Sequence, residues 1–429
     1  MKTKEEITKE LLKAIENVDI SNDPSDKERF LDCGEYRVVT HTDTGGENII
    51  VAYKEKALQC IKAALNTVFD FDSNFCDLVS EEFVKNELEE IIKKALLDRD
   101  PNKNNIIIKE VGRFLKSVRK EESVFFTRVI NLKSSKTYDF GNVKIYPGEA
   151  TFIEEISKNC ALDDHQEHSL SEEFKREVRA KYSIAEVHIS AAEKIKTAEK
   201  AFYNLDQFLN ILRVFCDAQI WIEGDAIPER RSYFCYKKTT RTFSETHQHS
   251  DAELRIRSFD LDELYELNPK LMNKIENILK KGNRNQLENK ILNSWIWLGE
   301  SVKEIDDTHK LLKMVISLEA LLLEKWADKR CLLAERSVFL LGDKNFDERI
   351  KIKKFIDEVY KVRSGIVHEG TRPNIRKRVL DNLFAIIRDL NIKILMTDEF
   401  ESMEDIEKFV ERCKYSSEIE KRVKVIEGK

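Results

Sequence analysis

The chain has 429 residues, 41% hydrophobic and 35% charged, which excludes a disordered polypeptide. A net charge of −6 and a pI near 5.9 exclude a protein that coats nucleic acid through global positive charge, so any RNA contact needs a local basic patch. The length predicts two or three domains, and only 13 Gly and 6 Pro favour long helices over a loop-rich fold.

Residues 4–18 place Ile7, Leu11, Leu12 and Ile15 on one helical stripe, and no apolar leader precedes them. Tyr36–Thr40 and Asn48–Tyr53 flank a Thr44-Gly-Gly46 turn and predict a hairpin. Residues 78–98 return to helix and break at Asp100-Pro-Asn-Lys-Asn-Asn105, and 106–130 are mixed. Tyr138–Tyr146 predicts a second hairpin centred on Gly141-Asn142. The polar stretch Cys160–Glu173 reads as a surface connection. Ile184–Ser190 alternates as a strand, and Ile195, Ala198, Phe202, Leu205, Phe208, Leu209 and Leu212 define a strong helix. Short strands are expected at Ala218–Ile222 and Ser232–Tyr236, with a Thr-, Ser- and His-rich loop over 238–252.

From about 286 onward strand signals almost vanish. Helices are expected at roughly 286–305, 307–326, 328–341, 346–367, 374–396 and 403–414, packed as an antiparallel bundle because the linkers are short. The expected fold class is α+β multidomain: a mixed α/β region over 1–155, a second α/β segment over 156–285, and an all-α bundle over 286–429. The Gly282-Asn-Arg-Asn285 cluster marks the last boundary.

Eight cysteines are scattered without a CxxC pair, which points to reduced thiols in a reducing compartment. The longest apolar runs, Ile49–Tyr53 and Leu383–Ile387, are far too short to span a bilayer, so a cytoplasmic protein without membrane contact is expected. No phosphate-cradling glycine loop, dinucleotide fingerprint or serine-hydrolase elbow is present, and no cofactor is expected. His165 and His168 beside Asp163 and Asp164, and His247 and His249 beside Asp251, have possible metal-ligand spacing. Neither set has a matching cluster nearby, so solvated loops and no metal are expected.

The chemistry concentrates in Tyr360-Lys-Val-Arg-Ser-Gly-Ile-Val-His-Glu-Gly370, where Arg363 and His368 are separated by four residues. An imidazole moves protons near neutral pH, and a guanidinium stays charged and grips phosphate oxygens bidentately. Such a pair suits RNA cleavage by the substrate's own 2′-hydroxyl. On a straight helix five residues turn through about 140°, so the two side chains would not share a face. Either Gly365 ends the helix between them, or a second copy completes the site. Tyr360, Ser364 and His368 fall four apart and form a polar stripe, with Ser364 able to orient the imidazole or touch phosphate. Glu319 interrupts the apolar run Met314–Leu323 and needs a cationic partner, with Arg363 or Arg336 the candidates; its role would be to fix that guanidinium. From Tyr360 to Leu380 six basic residues face one acidic, and Arg372, Arg376, Lys377 and Arg378 form a candidate RNA-binding run. Cations at a helix start oppose the dipole, which favours a phosphate-binding role over a purely structural one.

These residues resemble the HEPN superfamily, whose signature is an Arg and a His separated by four to six residues near a helix end. The likeness is greatest to its ApeA-like branch. Ser317-Leu-Glu-Ala-Leu-Leu-Leu323 resembles that branch's Glu-bearing helix, and Ala334-Glu-Arg-Ser-Val-Phe-Leu-Leu-Gly342 resembles the segment before the motif. The resemblance covers about 130 residues. It implies a metal-independent endoribonuclease that leaves a 2′,3′-cyclic phosphate, with Arg363 and His368 catalytic. It also implies a homodimer through this region and a defence role in abortive infection, with the nuclease released by an unknown trigger at the N-terminal region. HEPN folds also serve as non-catalytic RNA- or nucleotide-binding and dimerisation modules, and that alternative stands beside the enzyme, as does a purely structural interaction protein.

Overall fold

The computed structural model describes residues 2–21, 23, 25–32, 36–42, 48–71, 75–98, 102–147, 182–216, 220–222, 233–237, 242–246, 258–324, 329–342 and 346–427. The Thr44-Gly-Gly46 turn, the Cys160–Glu173 connection and both histidine clusters lie outside the described residues. By contacts the chain divides into two compact units. One comprises 1–124, 189–201 and 237–242, and the other 125–188, 202–236 and 243–429. The expected boundaries at 155 and 285 do not coincide with this division, because the sheet strands and the C-terminal helices fall in the same unit.

The first unit contains α1 (Lys2–Ile15), β1 (Val18–Ser21), α2 (Ser25–Asp32), β2 (Tyr36–Thr42), β3 (Asn48–Lys54), α3 (Glu55–Phe71), α4 (Phe75–Leu78), α5 (Glu81–Leu97) and α6 (Lys103–Ser117). The expected first hairpin is present, with Tyr36 opposite Lys54 and Thr42 opposite Asn48. β3 is the central strand, flanked by β1 and β2. Its run Ile50–Tyr53 is buried throughout, as a strand covered on both faces should be. The stripe of α1 buries Ile7, Leu11 and Ala14 against Val51, Tyr53, Ile61, Leu88, Ile92 and Val111 in one apolar core. Ser80 caps α5 by accepting from the Phe83 N–H.

Most residues of a seven-stranded sheet fall in the second unit. Its strands are β4 (Glu121–Ile130), β6 (Tyr138–Asp139), β7 (Val143–Tyr146), β8 (Tyr182–Ala191), β9 (Trp221–Ile222), β10 (Tyr233–Lys237) and β11 (Thr242–Thr246). The order is β11-β10-β4-β8-β7-β6, with β9 pairing β4. A short parallel pair joins β5 (Leu132–Lys133) to β12 (Phe259–Asp260). The second hairpin is as expected: Tyr138 lies opposite Ile145, and Gly141 turns the chain at φ +85°. β11 corrects the loop expected over 238–252. Its Thr and Ser residues read locally as turn formers, but pairing with β10 supplies what that local reading lacks.

Strand alternation sets Val143, Ile145, Ala185 and Val187 on one face. α7 (Lys194–Arg213) brings Phe202 edge-on to Phe125 at 4.9 Å and Phe208 to Phe140 at 4.6 Å. On the opposite face Glu186 is buried and accepts from the Tyr146 hydroxyl at 2.5 Å, with His188 Nε2 2.5 Å from its other oxygen.

The remaining helices are α8 (Leu261–Leu267), α9 (Pro269–Lys280), α10 (Gln286–Lys303), α11 (Asp307–Leu322), α12 (Lys329–Leu341), α13 (Phe346–Glu369), α14 (Lys377–Met396) and α15 (Met403–Glu427). The last six match the six expected helices in order, the first five nearly in bounds, while the sixth, expected over 403–414, runs on to Glu427. Asn285 and Glu288 close a capping box at the start of α10, and Asp306 caps α11 through the His309 N–H. α10, α11 and α14 meet over a buried polar knot. The Ser294 and Ser317 hydroxyls lie 2.9 Å apart, and Asn391 Nδ2 donates to Ser294 Oγ at 2.9 Å. α10 also crosses α7 at backbone contact through Gly299, above Asn210. Among the described residues no helix is long and apolar enough to cross a membrane.

Candidate active site

α13 carries the motif. Its inner side buries Ile356 and Val359, and Arg363 continues that side toward α11. There Arg363 Nη2 stands 3.6 Å from Glu319 Oε1, with both side chains largely shielded, at 18% and 15% exposure. Glu319 Oε1 is shut off from solvent and accepts no hydrogen bond among the described residues, so the guanidinium supplies charge compensation alone. The other oxygen accepts from Lys329 Nζ at 3.4 Å. The Arg363 guanidinium also lies 5.7 Å from the centre of the Tyr360 ring, a cation–π contact. Two groups, Glu319 on α11 and Tyr360 on α13 itself, therefore hold this arginine, and Lys329 on α12 holds the far side of the carboxylate.

Of the two candidate partners for Glu319, only Arg363 is taken up. Arg336, only 6% exposed, donates to the Leu322 carbonyl and to Glu407 on α15. It acts with Lys290, which donates to the Leu323 carbonyl, to satisfy the C-terminal carbonyls of α11. Burial lowers the Lys290 ammonium pKa. Lys329, on the far side of the carboxylate, is the member of the cluster that sequence reasoning missed. Its one signal is its position at the start of the helix that follows Glu319.

His368 is exposed in the last turn of α13. Of the two routes to convergence, the break at Gly365 does not occur: the helix runs through it to Glu369 and stops at Gly370, whose φ of +66° ends the spiral. Gly365 serves the chain that returns after this stop. The Thr371 N–H donates to the Gly365 carbonyl at 3.3 Å, and a Cβ at 365 would come within 3.1 Å of Thr371 Oγ1. Arg363 and His368 thus lie on one unbroken helix, about 140° apart round its axis and about 7.5 Å apart along it. Within one chain the guanidinium faces α11 and the imidazole faces solvent. Ser364 lies between the two directions, half-buried, on the stripe with Tyr360 and His368.

The basic run follows directly. Arg372, Arg376, Lys377 and Arg378 are all exposed. Lys377 pairs with Asp381 at 2.9 Å, and Arg372 helps to lower the Asp306 carboxyl, whose main stabilisation is the His309 N–H. Arg376 occupies the N-cap of α14 without any side-chain capping bond. Among the described residues no group of three or more His, Cys, Asp or Glu has a metal-binding arrangement. Comparison with protein-family models, with curated proteins and with solved structures finds no match.

Proposed function

We propose that the helices from 286 onward form a HEPN-type endoribonuclease whose catalytic pair is Arg363 and His368. The observation that carries this reading is an arginine immobilised by Glu319 and Tyr360, about one and a half turns before an exposed histidine that an exposed basic run follows in the chain. In the proposed reaction His368 takes the proton from an RNA 2′-hydroxyl, whose oxygen attacks the adjacent phosphorus. Arg363 offsets the charge that builds on the phosphorane, and the departing 5′-oxygen takes a proton from water, giving a 2′,3′-cyclic phosphate. Arg372, Arg376, Lys377 and Arg378 hold the flanking backbone. Because the two side chains diverge within one chain, the active unit is a homodimer in which each cleft takes Arg363 from one copy and His368 from the other. The resemblance to ApeA-like proteins supports a cytoplasmic defence role, with the preceding 285 or so residues recognising the trigger that releases the nuclease.

The test is incubation of the purified protein with total RNA in excess chelator. Cleavage that ends in cyclic phosphates and disappears in His368→Ala supports the enzyme. The same 140° divergence favours a second reading, a non-catalytic module that binds RNA or nucleotide phosphate through Arg363 and the basic run. Retained RNA affinity with no cleavage at any protein concentration selects that module.

A further inference from the structure

The outward face of α13 carries a row of basic residues that starts ahead of the motif and runs into it. Lys354, Lys361 and His368 are spaced by seven residues, so each lies about 10.5 Å beyond the last along the axis and the three fall within about 40° of one another. All three are exposed, and none has a hydrogen-bond or ion-pair partner among the described residues. The acids beside them form no ion pair with them among the described residues. Asp357, about 40° round from Lys361, is engaged by Arg330 Nε at 2.8 Å. Glu358 lies about 40° from Lys354 and about 60° from Lys361, Asp347 lies about 20° from Lys354 one heptad before it, and Glu369 lies about 80° round from Lys361. Arg372, Arg376 and Arg378, also exposed, follow the C-terminal end of the row in the chain. An unpaired cation on a helix surface gains nothing from its own fold, whereas a row of them gains by releasing counterions from a polyanion.

We infer that Lys354 and Lys361 form a backbone track that carries single-stranded RNA along α13 to His368, extending the binding surface by about 21 Å toward the N-terminal end of that helix. This rests on the ribonuclease reading above and adds the direction of approach: the strand runs along α13 before crossing the motif and continues over the basic run. The contacts are to phosphate alone, so the track is indifferent to sequence and strongly dependent on salt.

The experiment measures binding of a fluorescent single-stranded RNA 15-mer, 2′-O-methylated so that it cannot be cut, to the full-length protein from 50 to 300 mM NaCl. Each phosphate contact contributes about 0.7 to the slope of log K against log salt. Lys354→Ala/Lys361→Ala is expected to make that slope shallower by about 1.4 and to weaken binding about 25-fold at 0.1 M salt. Lys351→Ala/Lys353→Ala, on other faces of the same helix, should leave both unchanged. Wild-type binding with the same slope and affinity in Lys354→Ala/Lys361→Ala overturns the track and leaves the ribonuclease reading standing. Failure of the wild-type protein to bind the oligonucleotide overturns both.

Discussion

Replacing Gly299 by alanine sets two physical effects against each other, and the structure decides the sign. Gly299 lies inside α10, where alanine is the better helix former by about 0.8–1 kcal/mol. Its added Cβ, however, would stand 2.0 Å from the Asn210 carbonyl oxygen and 2.5 Å from that residue's carbonyl carbon and Cα. These are backbone atoms of α7, so no rotamer change relieves the clash. The helices must part by roughly 1 Å or more to regain ordinary contact distances. Overpacking of this kind costs about 1–3 kcal/mol. Parting also strains the bond that ties the two helices beside the crossing, Asn210 Nδ2 to Glu300 at 2.7 Å. Loss of that hydrogen bond to a charged group costs a further 1.5–3 kcal/mol or so. The net expectation is a destabilisation of about 2–4 kcal/mol. Denaturant unfolding followed by tryptophan fluorescence measures it directly, since Trp295 is fully buried one turn before the crossing. Gly282→Ala is the control: a Cβ there meets nothing within 4 Å, and the change should stay within about 0.5 kcal/mol. A Gly299→Ala protein as stable as wild type, or more so, would refute the packing argument and leave helix propensity in command.

Arg336→Ala should lower stability by roughly 2–3 kcal/mol, measured by the same unfolding, because it strips a buried charged donor from the end of α11 while Glu407 remains half in water. Burial alone would push the Glu186 carboxyl up, but the hydrogen bonds from His188 and Tyr146 and the charge of Lys144 outweigh it and hold the group below its usual value. A depressed folded-state value means that this stabilisation is complete above the unfolded value near 4.3 and is lost as pH falls through the lower folded one. Wild-type unfolding midpoints should therefore fall more steeply below about pH 4 than those of Glu186→Gln, and parallel curves would contradict the assignment. Glu319→Gln keeps the shape beside Arg363 but removes the charge. It should cut RNA cleavage well before it affects unfolding, and unchanged cleavage would show that the ion pair plays no part in positioning the guanidinium.

The C-terminal helices were legible because each has a single apolar stripe and clear punctuation: Asn285 with Glu288 at one start, Gly370 at one end. The pairing of Glu319 with a cation was legible for a related reason. A lone carboxylate in an apolar run has few ways to be stable, and Arg363 lay in the motif that the sequence singled out. What local reading missed depends on distant residues. β11 becomes a strand through β10, Lys329 reaches Glu319 across a helix connection, and Arg336 is drawn to Glu407, 71 residues away. Gly365 shows the same limit. A glycine inside a helix reads as a break, yet here it admits the returning chain at Thr371 and the helix continues. That continuity is what separates the imidazole from the guanidinium in one copy, and it is the ground for proposing that a second copy completes the site.

Mixing two inactive variants tests that chemistry most directly. Arg363→Ala and His368→Ala are each expected to lose RNA cleavage. Combined in equal amounts and allowed to exchange subunits, half of the dimers would carry one intact cleft of two, restoring about a quarter of wild-type activity. Recovery near that level is the predicted result. Mixed dimers that form but stay as inactive as either variant alone would contradict a site shared between copies.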